Sequence, residues 1–280
     1  MIDPADPDQL FDLLRRHRVD AKHSLGQNFL TDRTIRDAVA DAADISRDDE
    51  VLEVGAGPGT LTVAMARRCR RLVAVELDRR LIPALREVAA EHGNVEIVQA
   101  DILRFDIHAA FPQGGEVVAG NIPYSLTGAL IEKLLQPEPR PRRLSLVVQK
   151  EVAERWTAST GASLSTVAVQ VFASARIAMT IPASAFTPPP KVDSALVLLD
   201  VRDRPAVNVS DLSAFFRFVE AVFQFRRKQL GGALGRISGI GSTEAAARLR
   251  DAGIDPQRRP QTLSLTEWEA IFGSFAATGR

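Results

Sequence analysis

The chain has 280 residues, of which 35 are basic, 35 are acidic, one is cysteine and 45% are hydrophobic. This length and apolar content are sufficient for one large domain or two unequal ones, and they exclude disorder as the main state. A lone cysteine excludes an intrachain disulfide and a cysteine-rich zinc site, and a net charge of zero argues against a uniformly basic nucleic-acid binder.

The first ten residues, MIDPADPDQL, are acidic where a secretory signal is basic and then apolar. No apolar run in the chain approaches the ~20 residues of a membrane span. We therefore expect a cytoplasmic protein that does not cross a membrane.

The first two-thirds of the chain alternates short apolar runs with amphipathic stretches. Five of the apolar runs predict buried strands, at residues 51–54, 71–76, 95–98, 116–120 and 144–149. The stretches 61–69 and 79–93 carry apolar residues at helical spacing, with a glycine stop signal at Gly93. Alternating strands and helices predict an α/β fold whose parallel sheet is covered on both faces.

Two further β-rich runs, residues 167–181 and 194–201, are separated by the proline-rich segment 186–191. They predict a late hairpin on the same sheet. From residue 209 onwards the pattern changes to helices interrupted by glycine.

The charge changes along the chain together with this pattern. Residues 201–280 carry 12 basic and 8 acidic side chains, a net charge of +4, whereas residues 1–200 carry 23 basic and 27 acidic ones. These shifts predict three parts: a basic N-terminal arm (1–24), an α/β domain (25–204) and a small helical domain (205–280).

A glycine-rich segment, Glu53-Val-Gly-Ala-Gly-Pro-Gly59, ends the first predicted strand and begins a helix. Glycines at such a turn let the backbone approach a ligand, with the helix N-terminus directed at it. The third glycine of a dinucleotide fingerprint would fall at Thr60. The spacing therefore favours S-adenosylmethionine (SAM) over NAD, although a structural turn without a ligand is an alternative for the motif alone.

Two acidic residues follow the next two predicted strands. Glu76 closes the second strand, 21 residues after Gly55, where a carboxylate can accept both hydroxyls of a ribose. Asp101, just after the third strand, is placed to accept the amino group of a nucleoside base. Either acid alone also fits an ordinary loop residue or a helix cap. All three features nevertheless lie at the carboxyl ends of strands, where open α/β sheets bind ligands.

The fourth predicted strand ends in Asn121-Ile-Pro-Tyr124. An exocyclic amine is a poor nucleophile because its lone pair is conjugated into the purine ring. The Asn121 side-chain oxygen and a carbonyl before proline can accept its two N–H bonds and favour a pyramidal nitrogen. Tyr124, the only tyrosine, can stack on a base that has left its own stack. The alternative is a strand-ending turn with a half-buried tyrosine.

Motifs between about Ala21 and Leu234 resemble those of the KsgA family of small-subunit ribosomal RNA adenine N6,N6-dimethyltransferases. They are HSLGQNFL (23–30), VLEVGAGPG (51–59), VELD (75–78), DIL (101–103), NIPY (121–124), QKEVAER (149–155) and FTPPPKV (186–192). GQNFL and FTPPPKV together are specific to this group and its near relatives. One segment departs from the family pattern: TASTGASLST (157–166) is shorter than the usual loop and lacks its lysine and tyrosine.

The resemblance implies a Rossmann-like SAM-dependent methyltransferase sheet followed by a small all-helical RNA-binding domain. It implies one set of SAM contacts: Asn28, Leu30, Gly55, Glu76, Asp101 and Asn121. It also implies that Phe186 covers the adenine on the face opposite Tyr124. The implied activity is dimethylation of two adjacent adenines in the 3′-terminal hairpin loop of 16S rRNA, within the 30S subunit or its precursor, with a role in ribosome assembly. We expect a monomer and no metal.

Basic clusters supply candidate contacts to the phosphates of that RNA. The predicted RNA-binding residues are Arg16, Arg18, Lys22, Lys191, Arg226, Arg227 and Lys228. For a further cluster, Arg140–Arg143, a solvated face is the preferred interpretation.

Other functions remain open at this point. An Erm-type enzyme, which methylates 23S rRNA and gives macrolide resistance, shares GQNFL and NIPY. A non-catalytic ribosome-assembly relative would retain the fold. An N6-adenine DNA methyltransferase would be expected to carry a dedicated target-recognition region, and a small-molecule methyltransferase would lack the basic clusters. The segments FTPPPKVDSALV (186–197) and FQFRRKQLGGAL (223–234) favour the KsgA interpretation.

Overall fold

A computed structural model describes residues 2–19 and 27–276 of the chain. Contacts divide the chain into two compact units. The first unit comprises Met1–Glu154 with Ser174–Val201, and the second comprises Arg155–Ala173 with Arg202–Arg280.

This division differs from the predicted domains in two ways. Residues 155–173 belong to the second unit, whereas the sequence places them inside the α/β domain of residues 25–204. The predicted arm of residues 1–24 is not separate either, because its described part, residues 2–19, belongs to the first unit.

The strands of the described chain are, in order, β1 (Phe29–Leu30), β2 (Glu50–Val54), β3 (Arg71–Glu76), β4 (Val95–Gln99), β5 (Val117–Asn121), β6 (Arg143–Gln149), β7 (Ala173–Ile181), β8 (Phe186–Thr187) and β9 (Ser194–Val201). Seven of these described strands form one sheet in the order β4-β3-β2-β5-β6-β9-β7. Strands β2 to β6 run parallel, and β9 runs antiparallel to β6. The predicted parallel sheet is therefore confirmed. Strands β1 and β8 pair with each other, outside this sheet.

The described helices, in chain order, are α1 (Pro7–Arg16), α2 (Arg33–Ala42), α3 (Thr60–Ala66), α4 (Ile82–Ala89), α5 (Ile107–Ala110), α6 (Thr127–Leu135), α7 (Lys150–Thr157), α8 (Leu164–Phe172), α9 (Leu212–Phe223), α10 (Leu230–Ser238), α11 (Ser242–Asp251) and α12 (Leu265–Ala276). Helices α1 to α6 belong to the first unit and α8 to α12 to the second, while α7 crosses the boundary between them.

The central strands are buried because their sequences are apolar on both faces. Val51, Leu72, Val117 and Leu196, from four strands, share one hydrophobic cluster with Met65 of α3. Each fully buried aliphatic side chain of this kind contributes roughly 1.5–3 kcal/mol relative to an exposed one. This core fixes the carboxyl ends of the parallel strands as one rigid edge.

Helix α1 begins at a well-formed cap and buries one apolar stripe. The Asp6 carboxylate accepts the N–H groups of Asp8 and Gln9, both at 3.1 Å, which satisfies two amides that lack intrahelical acceptors. Leu10 and Leu13 are fully buried. The arm predicted as a basic extension is therefore, over this range, an amphipathic helix attached to the core of the first unit.

The prediction of a strand over residues 167–181 is wrong for its first part. Residues up to Phe172 lie in α8, and only Ala173–Ile181 form β7. Ser163 begins the helix by accepting the Thr166 N–H at 3.2 Å. Residues 167–172 are apolar except for Gln170. So short an apolar run does not distinguish a buried helix from a buried strand.

The second unit is a helical body with an aromatic core. Phe172 stacks on Phe216 with ring centroids 5.5 Å apart, and Phe215 meets Phe272 edge to face at 5.5 Å. Trp268 is fully buried. In the residues that the structure describes, no helix combines the length and the apolar character that a membrane crossing requires.

Candidate active site

A cavity in the first unit opens where β2, β3 and β5 end. Its lining includes seven residues predicted from the sequence: Asn28, Leu30, Gly55, Glu76, Asp101, Asn121 and Tyr124. The sheet brings them together because β2, β3 and β5 are neighbours and parallel, so their carboxyl ends share one edge.

The glycine-rich turn after β2 is tied directly to Glu76. Gly57 has a φ of +58°, a conformation that side chains other than glycine rarely adopt. In that conformation its N–H donates to Glu76 Oε2 at 2.8 Å, and the Asp78 N–H donates to Glu76 Oε1 at 2.7 Å. The turn and the carboxylate therefore hold each other in place.

Glu76 is 8% exposed, and burial raises the pKa of its carboxyl group. The two backbone amides act in the opposite direction, because they stabilise the charged form. Each carboxylate oxygen has more than one lone-pair direction, so each can accept a further hydrogen bond in the cavity.

Asp101 lies beyond the end of β4 and is half-buried. Its Oδ1 accepts the Leu103 N–H at 2.9 Å, which closes a local turn. The loop-cap interpretation and the ligand interpretation therefore both apply to this residue, since the carboxylate also faces the cavity.

Asn121 ends β5 and has a defined orientation. Its Nδ2 donates to the Asn28 carbonyl oxygen at 2.8 Å, so its Oδ1 is the atom left to accept a hydrogen bond from a ligand. The preceding residue, Gly120, passes so close to β2 that a Cβ there would lie 2.3 Å from the Val54 carbonyl oxygen. Glycine at that position lets the strand deliver Asn121 to the edge.

Tyr124 is held by a residue that the sequence analysis did not single out. Its hydroxyl is 3.1 Å from the Oγ of Ser194, which is fully buried at the start of β9. The Thr127 hydroxyl donates to the Tyr124 carbonyl at 3.0 Å. The ring is half-buried and lines the cavity. Ser194 lies within the quoted segment FTPPPKVDSALV, but nothing local marks it as a partner of a tyrosine 70 residues away.

A family model described as ribosomal RNA adenine dimethylase matches residues 18–276. The chain belongs to this family. The predicted resemblance is therefore confirmed.

Individual relatives agree with the family match. A protein of Pelotomaculum thermopropionicum named ribosomal RNA small subunit methyltransferase A is 43% identical over 294 residues, which cover 100% of this chain and 99% of the relative. A protein of the same name from Geobacillus thermodenitrificans is 40% identical over 281 residues, 96% of each chain.

Solved structures agree with the fold. The 23S rRNA methyltransferase ErmE is 30% identical, with a TM-score of 0.68 over 89% of this chain and all of that one. A dimethyladenosine transferase from Plasmodium falciparum is 24% identical, with a TM-score of 0.72 over 90% of this chain and 98% of that one. The predicted Rossmann-like methyltransferase fold is confirmed.

Phe186 does not line the cavity of this adenine dimethylase family member. It pairs with Leu30 across the β1–β8 ladder and is 3% exposed, inside the main hydrophobic cluster. The interpretation of Phe186 as the ring opposite Tyr124 is thus not met in this structure, because the phenyl group is buried among apolar neighbours instead.

Glu53 is a second buried acid of the cavity, and the sequence analysis gave it no role. It is 1% exposed and accepts the Thr62 hydroxyl at 2.6 Å. Burial, with repulsion from Glu76 as a further cause, raises the pKa of Glu53 to about 8. An acidic residue inside an otherwise apolar strand was the signal that could have identified it.

Asp78 has a lowered pKa, in contrast to the raised pKa of Glu53. Its carboxylate forms an ion pair with the Arg80 guanidinium and accepts a hydrogen bond from Gln27 Nε2 at 2.9 Å. These bonds, that of Arg80 first, lower the pKa of Asp78 to about 2. Both Gln27 and Asp78 line the cavity.

The predicted RNA-binding residues have different environments. Arg16 forms an ion pair with Glu87 at 2.8 Å, whereas Arg18 and Lys191 are exposed. Lys22 lies outside the described residues. Arg226, Arg227 and Lys228 are exposed in the second unit and line a pocket together with residues 162–164.

The cluster Arg140–Arg143 is occupied by ion pairs. Arg142 binds Asp49 at 2.8 Å, and Arg143 binds Asp200 at 2.6 Å. Within the part of the chain that the structure describes, no group of three His, Cys, Asp or Glu side chains is arranged to hold a metal ion.

Proposed function

We propose that this protein transfers methyl groups from SAM to the N6 amino groups of two adjacent adenines in the 3′-terminal hairpin loop of 16S rRNA, and that it acts on the small ribosomal subunit during assembly. The observation that supports this most strongly is the oriented Asn121 Oδ1, which lies in the same cavity as the Gly57–Glu76 pair. Membership of the adenine dimethylase family and the small-subunit names of its relatives support the same substrate.

The cavity suits SAM in its chemistry. Glu76 offers two anchored carboxylate oxygens for the ribose hydroxyls, and Asp101 offers an acceptor for the adenine amino group. Leu77, which is 55% exposed at the cavity, and Ile102 offer apolar surfaces for the faces of the adenine ring. Gly55, Asn28 and Leu30 complete the proposed set, together with Asn121.

SAM supplies a methyl group on a positively charged sulfur, which leaves as a neutral thioether. The chain's own task is to make the target nitrogen nucleophilic and to align it. Asn121 Oδ1 and the Ile122 carbonyl accept the two N–H bonds of the adenine amine, and Pro123 adds no competing donor. Each transfer replaces one N6 proton by a methyl group, and that proton is released to solvent. Because the leaving group itself needs no proton, alignment of nitrogen, methyl carbon and sulfur provides most of the catalysis.

Tyr124 provides the surface on which the extruded adenine stacks. Stacking of a base on an aromatic ring is worth roughly 1–3 kcal/mol, which offsets much of the unstacking cost. The Ser194 hydroxyl fixes one end of that ring. Phe186 enters the proposal as the second ring only if the β8 segment moves, because it is buried in this structure.

The second unit is proposed as an RNA-binding domain. Arg226, Arg227 and Lys228 project together with no acidic residue among the residues lining their pocket. Such a cluster suits phosphate contacts beside a presented loop. We propose that Arg18, Lys191 and Lys22 also contact phosphates. Arg16 would contact a phosphate in place of its ion pair with Glu87. We also propose that the protein works as a monomer in the cytoplasm.

The decisive experiment incubates the protein and labelled SAM with 30S subunits and 50S subunits from a strain that lacks both modifications. We expect N6,N6-dimethyladenosine in 16S rRNA only. Label in 23S rRNA alone would assign an Erm-type activity, in line with the likeness to ErmE. No label in either RNA, with SAM bound, would identify a non-catalytic assembly factor.

A further inference from the structure

A groove beside helix α1 has no role in the function proposed above, apart from the phosphate contact of Arg18 on its rim. It has a volume of about 450 Å³ and is lined by Leu10, Phe11, Leu14, Arg15, Arg18, Val19, Phe29 and Thr187, all of the first unit. This size is in the range of sites for small ligands or single nucleotides. The groove combines an aromatic floor with a basic rim.

Phe11 is exposed without a structural reason. The stripe that attaches α1 to the core consists of Leu10, Leu13 and Leu14, which are 0%, 0% and 7% exposed, whereas Phe11 is 59% exposed. A large aromatic ring beside that stripe adds little to the anchoring of the helix. It does present a flat apolar face next to the groove.

Arg18 occupies a position where glycine is strongly preferred. The Val19 N–H bonds back to the Leu14 carbonyl at 2.9 Å, which closes α1 with a residue in the left-handed conformation, and that residue is Arg18 with a φ of +55°. An arginine there strains the backbone. Its guanidinium has no ion-pair or hydrogen-bond partner among the described residues, in contrast to Arg16, which is paired with Glu87.

Arg15 adds a second positive charge to the rim. Its ion pair with Asp12 joins two largely exposed side chains, 81% and 58% accessible, so it is readily exchanged for another anion. Among the described residues, the groove thus offers two guanidinium groups against one carboxylate. This balance favours an anionic, flat ligand over a purely apolar partner or a second copy of the same basic rim.

We propose that this groove is a subsite for an unpaired nucleotide that flanks the target adenine. The base stacks on Phe11, and Arg18 with Arg15 binds the adjoining phosphate. The inference rests on the proposed function in one respect, that the substrate is RNA.

The position of the groove fits a flanking nucleotide. Phe29 lines both the groove and the SAM cavity, and its ring lies 3.5 Å from where a Cβ on Gly57 would be. Thr187, across the β1–β8 ladder from Phe29, lines the groove as well. A nucleotide in the groove is therefore one phenyl group away from the cavity that takes the reacting base.

The test compares wild type with Phe11→Leu, Phe11→Trp and Arg18→Gly in the full-length protein. One arm measures binding of a fluorescent RNA hairpin with the 16S rRNA 3′-terminal loop. A second arm measures kcat and KM for methylation of unmethylated 30S subunits. SAM affinity and melting temperature are recorded for each variant as controls for folding.

Phe11→Leu keeps the apolar area but removes the ring, so we expect RNA affinity to fall about 5- to 30-fold, with KM for subunits raised and kcat and SAM affinity unchanged. Phe11→Trp should keep near wild-type affinity. Arg18→Gly removes one phosphate contact, which lowers the slope of log Kd against log salt by about 0.7, and it relieves the left-handed strain, so its melting temperature should not fall.

Equal RNA affinity of wild type and Phe11→Leu, within twofold, would overturn the proposal. So would an RNA-independent dimer that Phe11→Leu dissociates in sedimentation, because the groove would then be a contact between copies. A third outcome separates the two proposals. If the wild type binds the hairpin through Phe11 but does not methylate 16S rRNA, the proposed function is overturned and the subsite is supported.

Discussion

The edge of the sheet that carries the cavity has two halves that are built differently. In the cofactor half, Glu76 is held by two backbone N–H groups, that of Asp78 two residues later and that of Gly57 19 residues earlier, on the turn after the neighbouring strand. In the reactive half, Asn121 is held by Asn28, 93 residues away, and Tyr124 by Ser194, 70 residues away. One half is fixed by backbone amides and the other by side-chain hydrogen bonds between segments 70 or more residues apart.

We propose that this difference separates cofactor binding from methyl transfer. The cofactor half satisfies its acids before any ligand arrives, so it is preorganised to bind. In the reactive half, the hydrogen bond that orients the Asn121 amide uses Nδ2. It leaves Oδ1 available to accept a hydrogen bond from a ligand. Substitutions in the two halves should therefore change different quantities.

Asn121→Ala should lower the rate of methyl transfer by at least ~100-fold, because it removes the acceptor that orients the amine, as loss of one preorganised polar group at a reacting centre does. Asn121 is only one member of the proposed set of SAM contacts, and Glu76, Asp101 and Gly55 remain in the variant, so SAM affinity should stay within about threefold of wild type. Single-turnover transfer and calorimetry measure the two quantities. A variant that binds SAM 100-fold more weakly but transfers normally when saturated would show that Asn121 serves the cofactor half instead.

Glu76→Gln should weaken SAM binding about 10- to 100-fold, because it replaces charge-assisted hydrogen bonds to the ribose by neutral ones and turns an N–H group towards a backbone N–H. The transfer rate at saturating SAM should change little. Glu96→Gln, at an exposed position on the neighbouring strand β4, is the matched control and should leave SAM affinity unchanged. Equal losses in both variants would contradict the assignment of Glu76.

Ser194→Ala should reduce kcat about 3- to 10-fold through loss of the hydrogen bond that fixes the Tyr124 ring, with SAM affinity intact. The control is Ser145→Ala on β6, since Ser145 is also fully buried but its Oγ has no hydrogen-bond partner in the described structure. Removal of that unpaired hydroxyl should leave kcat unchanged and should not lower stability. If both variants behave alike, Ser194 has no positioning role.

Glu53→Gln should change stability only at higher pH. The pKa of Glu53 is about 8 in the folded protein against a usual value of 4.5, so the folded state binds the proton more tightly than the unfolded state does. Wild type therefore loses stability as pH rises from about 4.5 to 8, and the loss is complete above that range. In the SAM-free protein, the melting temperature of Glu53→Gln should match wild type at pH 4.5 and exceed it by several degrees at pH 8. A constant difference at both pH values would contradict the assigned pKa.

The same difference between local and distant contacts determines which features could be predicted from the sequence. The strands of the parallel sheet, the glycine turn and Glu76 are encoded by short local patterns, and each lies where it was predicted. The helix over Leu164–Phe172 was missed because its apolar part, from Val167 onwards, is too short to show a period that distinguishes a helix from a strand. Ser194 and the burial of Phe186 depend on strands distant in sequence that become neighbours only in the folded sheet.

One crossed measurement tests the two-half account most directly. SAM dissociation constants and single-turnover methylation of 16S rRNA in unmethylated 30S subunits are determined on the same preparations of wild type, Asn121→Ala and Glu76→Gln. The account predicts that Asn121→Ala loses transfer and keeps SAM binding, whereas Glu76→Gln loses SAM binding and keeps transfer at saturation. Parallel losses of both quantities in both variants would contradict it, because the edge would then act as a single undivided site.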